Sequence, residues 1–533
     1  MTLWFAEERF TADQREVLSR HFTSLEGPVF ALVNLPEVVK GALFARYSRT
    51  TKSLRRLFLD EFAEDVDEGG ELTTAGVARA ERLYDRVFVE YGDDSVAQLG
   101  GVHLACEQAS QLLAKALEWG RLAAYLEQST RYMRYDDRPG GRWRATIPPE
   151  IVGTDLERRF EEHLDTVFGA YGAMFEPLYA WFERRFPRDP SDAEGVYRST
   201  ITAKTCDTLR LALPAATRSN LGIFATAQTY EQLLMRLSVH PSAEMRSYGE
   251  LMLIELRKVI PAFLKRVDVE DRGVAWARYW RETRERVDEL ASKLVGDARP
   301  DPRPEVTLVD FDPEGELKVA AAVLYAATDL PDDRVLALTR EMTPDERAEL
   351  LRASVGERSN RRHKPGRAWE RTSYRFDVLC DYGAFRDLQR HRPLTIEWQP
   401  LTTAHGHETP REIDDAGLRD RWDRAIDAGR GMEAALLDAG LDDAAQYAVP
   451  MAFRIRFVMQ MTAREAMHLT ELRSQPQGHP TYRRVAQAMH RLISDAHPAI
   501  GSAFRYVSHE DVDLERLEAE RRTALRRAAA ERG

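Results

Sequence analysis

The chain has 533 residues, 43% of them hydrophobic and 31% charged, with 31 Gly and 25 Pro. This length exceeds one ordinary core and the composition excludes a disordered or fibrous polymer, so two large domains or roughly three smaller ones are expected. The net charge of -11, from 76 Lys+Arg against 87 Asp+Glu, excludes whole-molecule attraction to a nucleic-acid backbone but allows local basic pockets.

No run of about 18 apolar residues occurs, and the start, Met1 to Glu8, lacks the basic segment and apolar stretch of a secretory signal. The expectation is a cytoplasmic protein that does not span a membrane. Cys106, Cys206 and Cys380 are too far apart for a zinc or disulfide framework, and they read as small buried apolar residues.

In chain order, the first chemistry-bearing segment is Glu127-Gln128-Ser129-Thr130-Arg131-Tyr132. A hydroxyl beside a planar guanidinium suits phosphate oxygens, and a surface ion-pair network is the plainer reading. Next come Arg210-Leu211-Ala212-Leu213-Pro214, then Leu233 to Arg236 with His240, then the amphipathic helical run Leu251–Ile260. Prolines and charges in the stretch 296–304 mark a linker. Beyond it, Glu305–Phe311 and Tyr374–Cys380 read as strands. Arg361-Arg362-His363-Lys364-Pro365-Gly366-Arg367 is either a solvated loop or a phosphate-binding one. Arg390-His391-Arg392 precedes Pro393, Gln446 to Pro450 follows, then Ala463 to Arg473 with His468, and an amphipathic helix over Ala486–Ile493. The tail from about 509 reads as a charged helix. Helix outweighs sheet.

The two sides of the linker echo one another. Pro214 lies 22 residues before Arg236, and Pro450 lies 23 before Arg473. Trp119-Gly120-Arg121 stands in the first half where Arg390-His391-Arg392 stands in the second. A duplication accounts for this order.

The pattern from Arg121 to Tyr132, with Glu127, Ser129 and Arg131 at their spacing, resembles the signature of flavin-dependent thymidylate synthases, which opens with Arg-His-Arg. Trp119 and Gly120 replace the first two of those residues here, and Leu126 replaces an asparagine. The second half keeps Arg390-His391-Arg392 but reads Pro400 and Thr402 where the first has Ser129 and Arg131. Arg210 with Pro214, and the helix ends at Arg236 and Arg473, fit the same family. Gly92-Asp93-Asp94-Ser95-Val96-Ala97-Gln98-Leu99 is the remnant of another family element. The resemblance spans roughly 30–265 and 305–500.

This resemblance implies an α+β fold: two tandem thymidylate-synthase-like domains, at 1–295 and 305–508, with the linker at 296–304 and a charged C-terminal helix at 509–533. Each domain is expected to be helix-rich around a central, mostly antiparallel sheet, the two forming a pseudodimer and two chains a homodimer. It further implies FAD as cofactor, with NADPH and methylenetetrahydrofolate as co-substrates. The reaction is transfer of a one-carbon unit to dUMP or a related pyrimidine nucleotide, in one site composed from both halves. By carry-over, Arg390, His391, Arg392, His468 and His240 meet the flavin, while Glu127, Ser129, Arg131 and Arg210 meet the nucleotide. Arg473 or Arg236 polarises the pyrimidine. The plainer readings are a basic turn for Arg390-His391-Arg392, helix-end cations for Arg236 and Arg473, and a polar cap for His240. The alternative function is a catalytically inactive relative that binds nucleotide or flavin, or serves a structural or regulatory role.

Overall fold

The computed structural model describes residues 8–47, 50–65, 98–296 and 302–510, with isolated positions between 73 and 81 and between 512 and 526. The motif positions 92–97, the linker positions 297–301 and much of the 509–533 tail lie outside the described residues.

Helices α1 (Ala12–His21), α2 (Glu37–Tyr47) and α3 (Leu54–Phe62) come first. Strand β1 (Gly101–Ser110) leads into α4 (Gln111–Leu117) and β2 (Ala123–Glu127). Helices α5 (Asp155–Arg185) and α6 (Glu194–Leu209) precede β3 (Arg218–Thr226) and α7 (Ala227–Ser238). Then come α8 (Ala243–Arg257) and α9 (Ala275–Val295). Past the Pro-rich stretch lie β4 (Val306–Phe311), α10 (Gly315–Tyr325), α11 (Asp332–Glu341) and α12 (Pro344–Val355). The order strand, short helix, strand then recurs as β5 (Ser373–Asp381), α13 (Tyr382–Leu388) and β6 (Leu394–Trp398). It is followed by α14 (Arg419–Asp438), β7 (Arg454–Thr462), α15 (Ala463–Arg473) and α16 (Pro480–Ala496).

The sheets repeat as the elements do. One has the order β1-β3-β2 and the other β4-β5-β7-β6, so β3 and β7 hold corresponding places beside β2 and β6. The pairings of β2 with β3, β4 with β5, and β7 with both β5 and β6 are antiparallel. Helix caps repeat too. Ser110 accepts from the Leu113 N–H at 3.0 Å, and Asp381 accepts from Ala384 N–H at 2.8 Å. Thr226 and Thr462 cap the helices after β3 and β7 in the same way. Such a cap stabilises by about 1 kcal/mol. Counted from these caps, Arg236 lies one position earlier in its helix than Arg473. The two are therefore turned about 100° apart around the helix axis.

Contacts divide the chain into two compact units. Unit 1 comprises Met1–Glu107, Leu122–Glu127 and Asn220–Ala298, and unit 2 comprises Gln108–Arg121, Gln128–Ser219 and Arg299–Gly533. In unit 1, Tyr230 is fully buried and donates its hydroxyl toward Val102 O (3.0 Å) and Ile223 O (3.2 Å), tying α7 to the sheet beneath it. Unit 2 holds the larger core. The inward residues of β7, Ile455, Phe457, Met459 and Met461, alternate with half-buried Arg456, Val458 and Gln460, the period expected of a strand with one buried face. Phe175, Trp422, Phe385 and Tyr447 complete the core.

Within unit 2 the passages around Pro214 and Pro450 pair with each other. Ala215 N donates to Val449 O (2.9 Å) while Met451 N donates to Leu213 O (2.8 Å). Ala216 N donates to Tyr447 O (3.0 Å) while Ala452 N donates to Leu211 O (2.7 Å). Each bond reappears with the two passages exchanged.

Candidate functional site

The turn Arg390-His391-Arg392 closes α13, and its histidine is not solvated. His391 is buried. Its Nδ1 shares a hydrogen with Glu465 Oε1 at 2.8 Å, and its Nε2 receives the Arg473 Nε–H at 3.0 Å. Nε2 must accept from Arg473, so the hydrogen sits on Nδ1 and is donated to Glu465. Burial, then Arg473, holds this imidazole well below its ordinary range, so it is neutral. Reading these residues as a merely solvated basic turn does not fit that geometry.

Four arginines from both sides of the linker converge on two buried aspartates. Arg131 donates Nη2 to Asp207 Oδ2 at 2.6 Å and to Gln477 O at 3.3 Å, and Nη1 to the Tyr482 hydroxyl at 3.2 Å. Arg210 Nε lies 3.0 Å from Asp207 Oδ1, and its Nη2 lies 3.6 Å from Asp387 Oδ2. Asp387 Oδ1 also faces Arg390 Nη1 at 3.5 Å and Arg473 Nη1 at 3.8 Å. Burial pushes the Asp207 carboxyl up, but Arg131, Arg210 and then His479 more than offset it and leave it at about 2. Asp387 is likewise held far below the usual carboxylate range by Arg390, Arg210 and Arg473 against its burial. Both aspartates are therefore anionic, and four guanidiniums share two negative charges. Arg131 and Arg210 are buried and balanced by the two aspartates, whereas the surplus positive charge sits on the partly exposed Arg390 and Arg473, which an anionic ligand can meet. Arg131 Nε is buried without a hydrogen-bond partner, so one donor remains at this centre, while Arg210 is held by its two ion pairs.

A second basic surface adjoins α15. Arg361, Arg362, Lys364, Arg464 and His468 line an open cleft of about 500 Å³. Its loop is pinned from behind: Arg358 Nε donates to His363 O at 2.6 Å, and Arg464 Nε donates to Pro365 O at 2.9 Å. The side chains, not a loose backbone, thus set its charge. His468 packs edge-on to His391 with ring centroids 5.3 Å apart. Potential ligand atoms of His391, Glu465 and His468 lie within 4.8 Å of one another, close enough for a metal ion. Burial and the charges of Lys364, Arg361 and Arg473 hold His468 at about 4, a setting that repels a cation and favours an anion.

Unit 2 thus brings together Ser129, Arg131, Arg210, Arg390, His391, Arg392, His468 and Arg473. Ser129 accepts the backbone N–H of Arg131 at 3.3 Å, and Arg392 Nη1 donates to Arg390 O at 3.4 Å. Glu127, Arg236 and His240 belong to unit 1. There Glu127 is buried at the end of β2 opposite Leu221, burial lowers the Arg236 guanidinium, and burial with Arg284 holds His240 at about 4. Sequence reasoning missed Asp207 and Asp387. The Asp-x-x-Arg spacing of Asp207 with Arg210 and of Asp387 with Arg390 is the signal that could have found them, since residues three apart share a helix face. Tyr482 had no such signal. In the turn corresponding to Arg390-His391-Arg392, Trp119 donates Nε1 to Ile396 O at 3.2 Å and meets Trp398 edge to face at 5.7 Å, while Arg121 bonds Thr395 at 3.0 Å. There an aromatic ring packs on β6 in place of the arginine and histidine.

Residues 42–262 and 307–499 match the family described as thymidylate synthase complementing protein. A UPF0159 protein of Chlamydia muridarum is 38% identical over 529 residues, 97% of this chain and 99% of its own length. Another, from Chlamydia pneumoniae, is 38% identical over 523 residues, 97% of this chain and 98% of its own. A flavin-dependent thymidylate synthase of Clostridium tetani is 26% identical over 181 residues, 34% of this chain and 67% of its own. The crystal structure of a UMP/dUMP methylase from Streptomyces cacaoi, bound with 5-Br dUMP, is 21% identical, covering 39% of this chain and 96% of that one. Its TM-score is 0.30, a likeness too slight to carry an argument.

Proposed function

The chain belongs to the thymidylate synthase complementing protein family, and from that premise we propose that it transfers a one-carbon unit to the pyrimidine of dUMP with a bound flavin. The observation that carries the reading is the meeting of Arg131 and Arg210 with Arg390 and Arg473 on Asp207 and Asp387. Residues from both sequence halves contribute, as a composite site requires. Ser129, Arg131 and Arg210 would hold the nucleotide phosphate, for which a hydroxyl and paired guanidiniums are apt. Arg473 is preferred over Arg236 as the pyrimidine-polarising group because it stands at this cluster with its Nε fixed by His391. Glu465 fixes the proton of His391, so its role is to position.

The residues fit FAD. Arg390, Arg392, Lys364 and Arg464 are suited to its phosphates, and His391 and His468 offer ring faces beside them. When bound, the flavin would supply the hydride equivalent, drawn from NADPH, that reduces the carbon given by methylenetetrahydrofolate to a methyl group. The protein groups stabilise negative charge on phosphate and pyrimidine, and no thiolate is required: Cys106, Cys206 and Cys380 are buried. The pseudodimer of repeats at 1–295 and 305–508 is part of this proposal, supported by the repeated strand order and by the reciprocal bonds at Pro214 and Pro450. A homodimer of such chains would present four repeats. No helix among the described residues is long and apolar enough to cross a membrane, and a cytoplasmic location is in keeping with the proposed substrates.

One observation favours a non-catalytic binding protein instead. The Nη atoms of Arg131 already bond Asp207, Tyr482 and Gln477, so a phosphate must displace them. Incubation with FAD, NADPH, methylenetetrahydrofolate and dUMP separates the readings. Formation of dTMP supports the enzyme, whereas flavin and dUMP binding without product supports the inactive relative.

A further inference from the structure

Helix α9 carries a repeating pattern that the site does not use. Trp276, Trp280, Thr283, Val287, Leu290 and Leu294 recur at alternating steps of four and three residues, the spacing of a coiled-coil seam. The first turns rest on unit 1: Ala277 is buried, and Arg284 donates Nη1 to Val239 O at 3.0 Å. The seam nonetheless faces water at its first residue, Trp276, which is 56% exposed, and again beyond Thr283. Val287 is 57% exposed, Leu290 55% and Leu294 82%. An apolar stripe continued for two turns beyond its support marks a surface for association. The helix also lies in the stretch between residues 262 and 307 that the family match leaves uncovered, so it is an addition to the shared body.

Charge identifies the occupant. Arg284, Arg286 and Lys293 border the seam, while Glu282, Glu285, Asp288 and Glu289 lie on the outer face. Lys293 reaches Glu289 at 2.5 Å on its own exposed surface, an interaction of little strength. A second copy of α9 laid antiparallel would set Arg286 against Lys293 on both edges, and a parallel copy would leave those cations without anions. A helix with carboxylates beside its own apolar seam would pair with Arg286 and Lys293, while Arg284 stays on Val239 O. We propose that α9 is a docking helix for an amphipathic helix of a partner protein whose apolar seam is bordered by Asp or Glu.

The test uses the full chain and two synthetic helical peptides of equal length with leucine seams, one with Glu and one with Lys at the bordering positions. The expected result is saturable binding of the Glu peptide by fluorescence anisotropy at low salt, roughly tenfold tighter than the Lys peptide, since two ion pairs gained and two like-charge contacts avoided, at a few tenths of a kcal/mol each, give about that factor. The double variant Leu290→Asp/Leu294→Asp should keep the parent's melting temperature, because both positions are exposed, and should lose the Glu peptide. The proposal is overturned if the parent ignores the Glu peptide or binds both peptides alike. It is also overturned if sedimentation shows an oligomer of the parent that the double variant dissolves, because a second copy would then be the occupant.

Discussion

Pro214 and Pro450 face one another in an antiparallel bridge, and the hydrogen bonds on either side of them come in reciprocal pairs. Two prolines can meet in this way because neither has an N–H to leave unsatisfied. The bridge joins the passage after α6 to the passage after α14, and Arg210 reaches Asp207 and Asp387 from the turn just before it.

Gly429 in α14 makes that arrangement testable. A Cβ placed there would stand 2.3 Å from Pro450 Cδ and 2.7 Å from Pro450 Cγ, a contact that rigid neighbours cannot relieve. Gly429→Ala should lower stability by about 1–3 kcal/mol by overpacking, outweighing the helix propensity that Ala adds. Urea denaturation with an unchanged midpoint would count against the packing described for this bridge.

Arg131→Ala should weaken dUMP binding by roughly ten- to a hundredfold, the equivalent of one charge-assisted phosphate contact. It should also lower the melting temperature of the ligand-free protein, because Asp207 stays buried with Arg210 alone. Calorimetric titration checks the first effect and thermal unfolding the second. Full dUMP affinity in a folded variant would remove Arg131 from the nucleotide site.

Glu465 gives a pH dependence of defined sign. Burial raises its carboxyl to about 7, with Lys364 and Arg464 pulling it down, while the ordinary value is 4.5. The folded protein therefore holds this proton more tightly than the unfolded chain. The resulting stability is fully present below about pH 4.5 and is lost as pH rises through about 7. Glu465→Gln cannot titrate. The melting temperature of the parent relative to this variant should be highest near pH 5 and fall toward pH 8, and a difference independent of pH would contradict the assignment.

Arg358 and Glu471 form a buried pair behind the basic loop, each side chain 1% exposed, with Arg358 Nη1 donating to Glu471 Oε1 at 2.6 Å. Arg358→Met or Glu471→Leu alone should cost about 3–5 kcal/mol, since each strands a buried charge, and the double substitution should cost much less than the sum. A double-mutant cycle by chemical denaturation gives the coupling directly, and additive costs would contradict it.

The family and the repeated order of elements were legible because motif order and spacing survive where identities do not. Arg131, Arg210, Arg390 and Arg473 were singled out through the family resemblance and meet in one unit. Asp207 and Asp387 were not, since a carboxylate that neutralises arginines has no local mark apart from its helical spacing. The partition of the chain was not legible either. Two compact units that each draw on several separated segments, 108–121 among them, arise from long-range pairings such as Tyr382 Oη to Gln111 O at 3.1 Å, which leave no pattern in either segment. The one-residue offset between Arg236 and Arg473 became visible only against the caps at Thr226 and Thr462.

The most direct test of the central claim is titration of dUMP into the FAD-supplemented protein, followed through the visible flavin absorbance. Saturable perturbation of the flavin band is expected in the parent. It should be weakened ten- to a hundredfold by Arg131→Ala and abolished in His391→Ala/Arg392→Ala, which should no longer retain flavin. A parent that retains no flavin and binds no dUMP, or a double variant that binds both as the parent does, would contradict a flavin and nucleotide site at this arginine cluster.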